Sequence, residues 1–153
     1  MSRGDFRLAR GSSEHATIVR FQTKAGNTAI KAGEPVIQGT SGDVEYVLLP
    51  SADITTSDTF VGFATSNDTV TASADGYVDV VIPSASTLFR GKAKTPASLA
   101  TTQILTKVVI DFTTPNFTVD ESTTTNGFCL ITGYDAQAGL VDFLIDMTEA
   151  VNA

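Results

Sequence analysis

The feature that most constrains this chain is a succession of short apolar runs, several with a period of two, cut by polar turn residues. It is clearest in residues 59–94, TFVGFATSNDTVTASADGYVDVVIPSASTLFRGKAK. Three apolar runs (60–64, 77–82 and 87–93) are separated by polar links. Asn67-Asp68 and Asp75-Gly76 are turn dipeptides, because Asn, Asp and Gly tolerate the backbone angles of a reversal. In the run from Gly76 to Ile82, Tyr77, Asp79 and Val81 fall on one face and Val78, Val80 and Ile82 on the other. A period of two marks a half-buried strand. The stretch predicts a meander of antiparallel strands and holds no plausible catalytic group.

The same signal recurs along the chain. Strands are expected at 17–23 (TIVRFQT), from Pro35 onward, at 44–49 (VEYVLL, stopped by Pro50), at 104–112 (ILTKVVIDF) and at 116–119 (NFTV). A closing hairpin is expected from 127–132 and 140–147 around GYDAQAG. Four residues mark turns and strand starts: Gly33 supplies a turn, Pro35 fixes φ at a strand start, Gly62 marks a close approach of chain segments, and Gly76 ends a turn. Residues 95–102 (TPASLATT) predict a short helix, with Thr95 as N-cap and Pro96 at its first position. About nine or ten strands at short spacings give an all-β fold, a small barrel, β-tulip or sandwich. No repeat of fixed period is visible.

At 153 residues the chain is long enough for one domain that needs no metal or disulfide. The expected division is an arm at 1–16, rich in Arg, Gly and Ser, and one β domain at 17–153. Cys129 is the one cysteine, set in an apolar strand, and reads as a buried inert thiol. His15 is the one histidine and has no triad or metal-site companions, so it reads as a surface residue. No run of apolar residues is long enough for a membrane span, and MSRGDFRLAR has no apolar core of a secretory signal. Folding in a cytoplasm is the expectation.

Net charge is −7 and uneven. Residues 1–31 carry Arg3, Arg7, Arg10, Arg20, Lys24 and Lys31 against Asp5 and Glu14, a balance of +4, while the remainder stands at −11. The acidic body argues against nucleic acid as a partner, since binding it requires neutralising phosphates. A basic arm on an acidic body fits docking to an acidic surface. Arg90, Lys92 and Lys94 sit at alternate positions and predict a second basic strip on one strand face.

Reactive constellations are scarce. A nucleophile needs a base beside it, and one His in an arm and one Cys inside a strand do not make a pair. Asp120 and Glu121 are neighbours and so point to opposite sides of a strand. A glycosidase reading would need two carboxylates converging at about 5–9 Å. Calcium-loop, zinc-cluster and phosphate-loop patterns are missing, and no cofactor is expected. Asn67-Asp68-Thr69 and Asn116-Phe117-Thr118 match the glycosylation acceptor pattern and read as chance. Absence of Trp weakens a carbohydrate groove.

Ala32-Gly33-Glu34-Pro35-Val36, then Phe60-Val61-Gly62-Phe63-Ala64, then Gly76-Tyr77-Val78-Asp79-Val80-Val81 resemble, in order, segments of the head decoration (capsid cement) proteins of tailed bacteriophages. The resemblance spans residues 32–94, and the region after Thr95 has no counterpart. It implies a β-barrel or β-tulip domain that sits as a homotrimer on the outside of a capsid. The partner implied is the major capsid protein, met by the arm through Arg3, Arg7 and Arg10, with Arg20, Arg90, Lys92 and Lys94 as further contacts. It implies no catalytic residue, no membrane partner and a place on the virion after synthesis in the bacterial host cytoplasm. The alternative expectation is a glycan- or host-binding β module of a phage head fibre.

Overall fold

The computed structural model describes residues 3–9, 16–113 and 116–146. It is nearly all β, as the alternation requires. Eleven strands run β1 (Arg7–Leu8), β2 (Thr17–Thr23), β3 (Pro35–Gln38), β4 (Val47–Leu48), β5 (Phe60–Ala64), β6 (Gly76–Ile82), β7 (Leu88–Lys92), β8 (Lys107–Thr113), β9 (Asn116–Asp120), β10 (Cys129–Asp135) and β11 (Leu140–Ile145).

They form two curled antiparallel sheets, in the orders β2-β6-β5-β3-β4 and β1-β7-β11-β10-β8-β9. Each curls far enough to meet itself. In the first, a parallel bridge joins Gln22 on β2 to Tyr46 just before β4; in the second, a parallel bridge joins Ala93, just past β7, to Val119 on β9. Setting β1 aside, the two half-barrels share one plan. Within each, the five strands lie in the order first, fifth, fourth, second, third, and the first and third strands are bridged in parallel. Val36 and Val108, and Val47 and Val119, lie 72 positions apart, and all four are buried.

Each half-barrel encloses its own apolar filling. The first is lined by Ile30, Val36, Val47, Val61, Ala64, Val78 and Val80. The second core is rich in phenylalanine and extends to the contact with the first half-barrel: Phe60, Phe63 and Val81 pack there with Phe89, Phe117, Phe128 and Phe143. Strand β5 is buried along its whole length because it serves both cores. A register shift between Val36 and Ile37 lets Phe60 and Phe63 face one core while Val61 and Ala64 face the other. On β6, Val78 and Val80 turn inward as the parity predicts, Tyr77 stays exposed, and Val81 meets the second half-barrel.

Three expectations change in detail. The strand foreseen at 44–49 shrinks to Val47–Leu48, flanked by turns before it and by Pro50 after it. The strand foreseen from Ile104 begins at Lys107, because Leu105 adopts φ 68° and breaks the extension. The short helix at 95–102 is two 3-10 turns, Pro96–Ser98 and Thr101–Gln103, and Thr95 makes no side-chain cap.

Candidate functional site

The basic N-terminal segment was expected to stand apart as an arm. For residues 3–9 the structure corrects this. Phe6 is 3% exposed, stacked on Phe63 at a centroid distance of 4.5 Å and edge-on to Phe143 at 6.0 Å. Its ring occupies the space a side chain at Gly91 would need. Arg7 and Leu8 pair with Arg90 and Phe89 as an outer strand on β7. On the other side, Gly4 lies against the carbonyl of Gly33, and the Phe6 amide donates to that carbonyl at 3.0 Å. Gly33 takes φ 89°, a conformation glycine adopts freely, which explains its place in this contact. One aromatic residue in the segment was the available signal; the count of arginines concealed it.

Arg3 is fixed by Glu34, the acid within the Gly-Glu-Pro-Val segment. Glu34 is fully buried and accepts from the Arg3 amide at 2.8 Å, the Arg3 Nε at 2.9 Å and the Lys31 amide at 2.7 Å. Glu121 is the matching buried carboxylate in the second half-barrel. It accepts from the amides of Lys94 and Thr95 and the Ser98 hydroxyl, fastening the 3-10 turn. A buried carboxylate with several donors is a structural clamp. Neither role is visible in sequence, because all the donors except the Lys31 amide come from segments that are distant in the chain.

The other basic positions are largely answered within the chain. Arg7 bonds Asp5 at 2.9 Å. Arg20 forks onto Asp79 across β2 and β6, which raises the guanidinium pKa and lowers that of Asp79 below its ordinary value. Arg90 forks onto Asp142 at 2.6 and 3.0 Å, and this hydrogen bonding raises its pKa. Lys94 bonds Asp111 at 3.0 Å with Asp120 at 3.6 Å, and its ammonium is likewise held to higher pH. Among the described residues, Lys31 and Lys92 are the cations without an ion pair. The register sets Arg7 beside Arg90, with Lys92 two residues along β7. Arg20 belongs to the other sheet, and Arg10 lies outside the described residues. The glycines fall where the chain is crowded: Gly62 faces the Val81 carbonyl and Gly76 backs onto the Val70 main chain. Pro35 opens β3 opposite Phe63.

Depressions on the surface are open. One of about 570 Å³ is lined by residues 55–58, Lys107, 126–128 and Asp146, where Lys107 and Asp146 already form an ion pair at 2.7 Å. A smaller apolar one of about 170 Å³ lies at the gap between β2 and β4, against Phe21, Val44, Tyr46, Val47 and Val61. Cys129 is fully buried, and burial pushes its thiol well above the ordinary range, which keeps it unreactive. His15 lies outside the described residues. Among the described residues no group of three His, Cys, Asp or Glu side chains is arranged to hold a metal ion. Among the described residues no helix is long and apolar enough to cross a membrane.

No protein-family model, no curated protein and no solved structure matches this chain.

Proposed function

We propose that this protein is a structural binding component, a decoration protein that adheres to the outside of a phage capsid and braces it. The observation that carries the reading is where the resembling segments fall. They fall on the turn into β3, on β5 and on β6, strands that are adjacent in one sheet, with their glycines at crowded backbone contacts. The likeness therefore concerns one packed unit rather than scattered short matches. The paired, exposed charges and clamped loops described above suit a rigid adhesive body.

The basic strip that remains open to a partner is the outward side of β1 and β7, with Arg7, Arg90 and the unpaired Lys92. A partner carboxylate competes there with Asp5 and Asp142. Surface pairs of this kind are weak singly and screened by salt, so affinity would come from many equivalent sites on one shell. The test is co-sedimentation with undecorated heads at graded ionic strength. Binding is expected at low salt, with greater resistance of the heads to heat, and Lys92→Glu is expected to weaken it. Heads that neither bind the protein nor gain resistance would overturn the proposal.

A further inference from the structure

The two half-barrels share a strand plan but not a finish. In the second, the outer edge of the first strand is covered: β1 lies antiparallel along β7, with Arg7 opposite Arg90 and the Ala9 amide donating to the Leu88 carbonyl at 2.8 Å. The 72-residue spacing that relates Val36 to Val108 and Val47 to Val119 relates Ile18 to Arg90. At that matching place no strand among the described residues covers β2. It is the outermost strand of its sheet, and the single bridge from Gln22 to Tyr46 touches only its far end. Residues 17–20 are all exposed, Ile18 at 56% and Val19 at 38%.

The direction of the edge groups follows from β6. The carbonyl of Asp79 accepts from Thr65, and that of Val81 faces Gly62, so both point toward β5. Val80 and Ile82 therefore bond toward β2, where their partners are Val19 and Thr17. The N–H and C=O groups of Ile18 and Arg20 are left pointing outward. Such an edge is ordinarily blunted by lysine, proline or a bulge; the run Thr-Ile-Val-Arg-Phe carries none of these, and its Arg20 is drawn onto Asp79.

We propose that a second copy of this chain covers this edge, β2 against β2, antiparallel about a twofold axis at Val19. The occupant follows from the edge itself. In that register Ile18 of one copy faces Arg20 of the other, so all the outward groups pair with their own kind, and each such pair exchanges two N–H···O bonds. The two Val19 side chains meet across the axis, Thr17 lies beside Phe21, and no arginine faces an arginine. An isologous contact of this sort closes at two copies. The inference does not depend on capsid binding, and it differs from the threefold assembly that the sequence resemblance implies.

The test is light scattering on the full chain through a dilution series, with two variants. The wild type is expected at twice 16.0 kDa. Ile18→Pro removes one outward donor without touching the bonds to β6, and is expected to run as a monomer with an unchanged circular dichroism spectrum. Val19→Cys tests the register. At a twofold, non-hydrogen-bonded pair the Cα atoms lie about 4.5 Å apart, within disulfide range. It is expected to form a covalent dimer under mild oxidation, whereas Val44→Cys, more exposed at 56% but off the edge, is not. Should Ile18→Pro fail to fold, the cysteine pair decides alone. A wild-type monomer, a trimer, a dimer that persists in Ile18→Pro, or equal cross-linking of both cysteine variants would overturn the proposal.

Discussion

The two half-barrels have the same strand order and different fillings. The buried residues of the first are valine, isoleucine and alanine, while the second adds seven phenylalanines to an aliphatic set of the same kind. Small aliphatic side chains suit a narrow interior bounded by short strands such as Val47–Leu48. Rings fill the wider space where one half-barrel is also a floor for the other, and where Phe6 is brought in from outside the five-strand plan. One topology thus tolerates two solutions provided volume is filled at native density. The unequal fillings make the halves energetically unequal, and that difference can be measured.

The largest effect is expected from removing residues 1–9. Loss of Phe6 alone should cost about 4 kcal/mol, and the truncation also leaves Glu34 buried without Arg3. Thermal unfolding should show a severely lowered midpoint; a truncation with wild-type stability would restore the picture of an independent arm. Next, Phe143→Ala in the second half-barrel is expected to cost about 4 kcal/mol, and Val80→Ala in the first only about 2 kcal/mol. Denaturant titration of both checks this, and equal losses would break the contrast. Between them falls Glu34→Ala, at about 3 kcal/mol, because three donors lose their acceptor.

The smallest effect concerns pH. Asp79 is held below its ordinary value of 3.8 by the hydrogen bond from Arg20. Its contribution is therefore present above that value and lost as pH falls through the lowered one. The pair is exposed, so the gain is slight. The difference in melting temperature between wild type and Asp79→Asn should be small at neutral pH and vanish in acid.

How much of this was legible beforehand differs between strand and edge. Parity placed Val78 and Val80 inward and left Tyr77 exposed, because a period of two records burial directly. The closing hairpin was legible for the same reason, although Gly133, Tyr134 and Asp135, expected in its loop, pair with β11 as part of β10. The shared strand plan was not. The connection between the fourth and fifth strands is residues 65–75 in one half and 136–139 in the other, so no fixed period survives, and the buried phenylalanines of the second core have no counterpart among the fully buried residues of the first. The role of residues 3–9 was hidden because composition reports arginine and glycine, while the energy comes from one ring whose receptors, Phe63, Gly91 and Phe143, are remote in sequence. For the candidate contacts, alternation set Arg90 and Lys92 on one strand face, but it could not reveal that Asp142, 52 residues away, already answers Arg90.

The segment that carries Phe6 touches Gly33 and Glu34 at one end and β7 at the other. It leaves the ribosome before any of these exist. During synthesis its ring cannot be seated until Phe63 and Gly91 have emerged, and Phe143 after them. Residues 3–9 are therefore made before Phe63, Gly91 and Phe143, yet can take their seats only after all three have emerged.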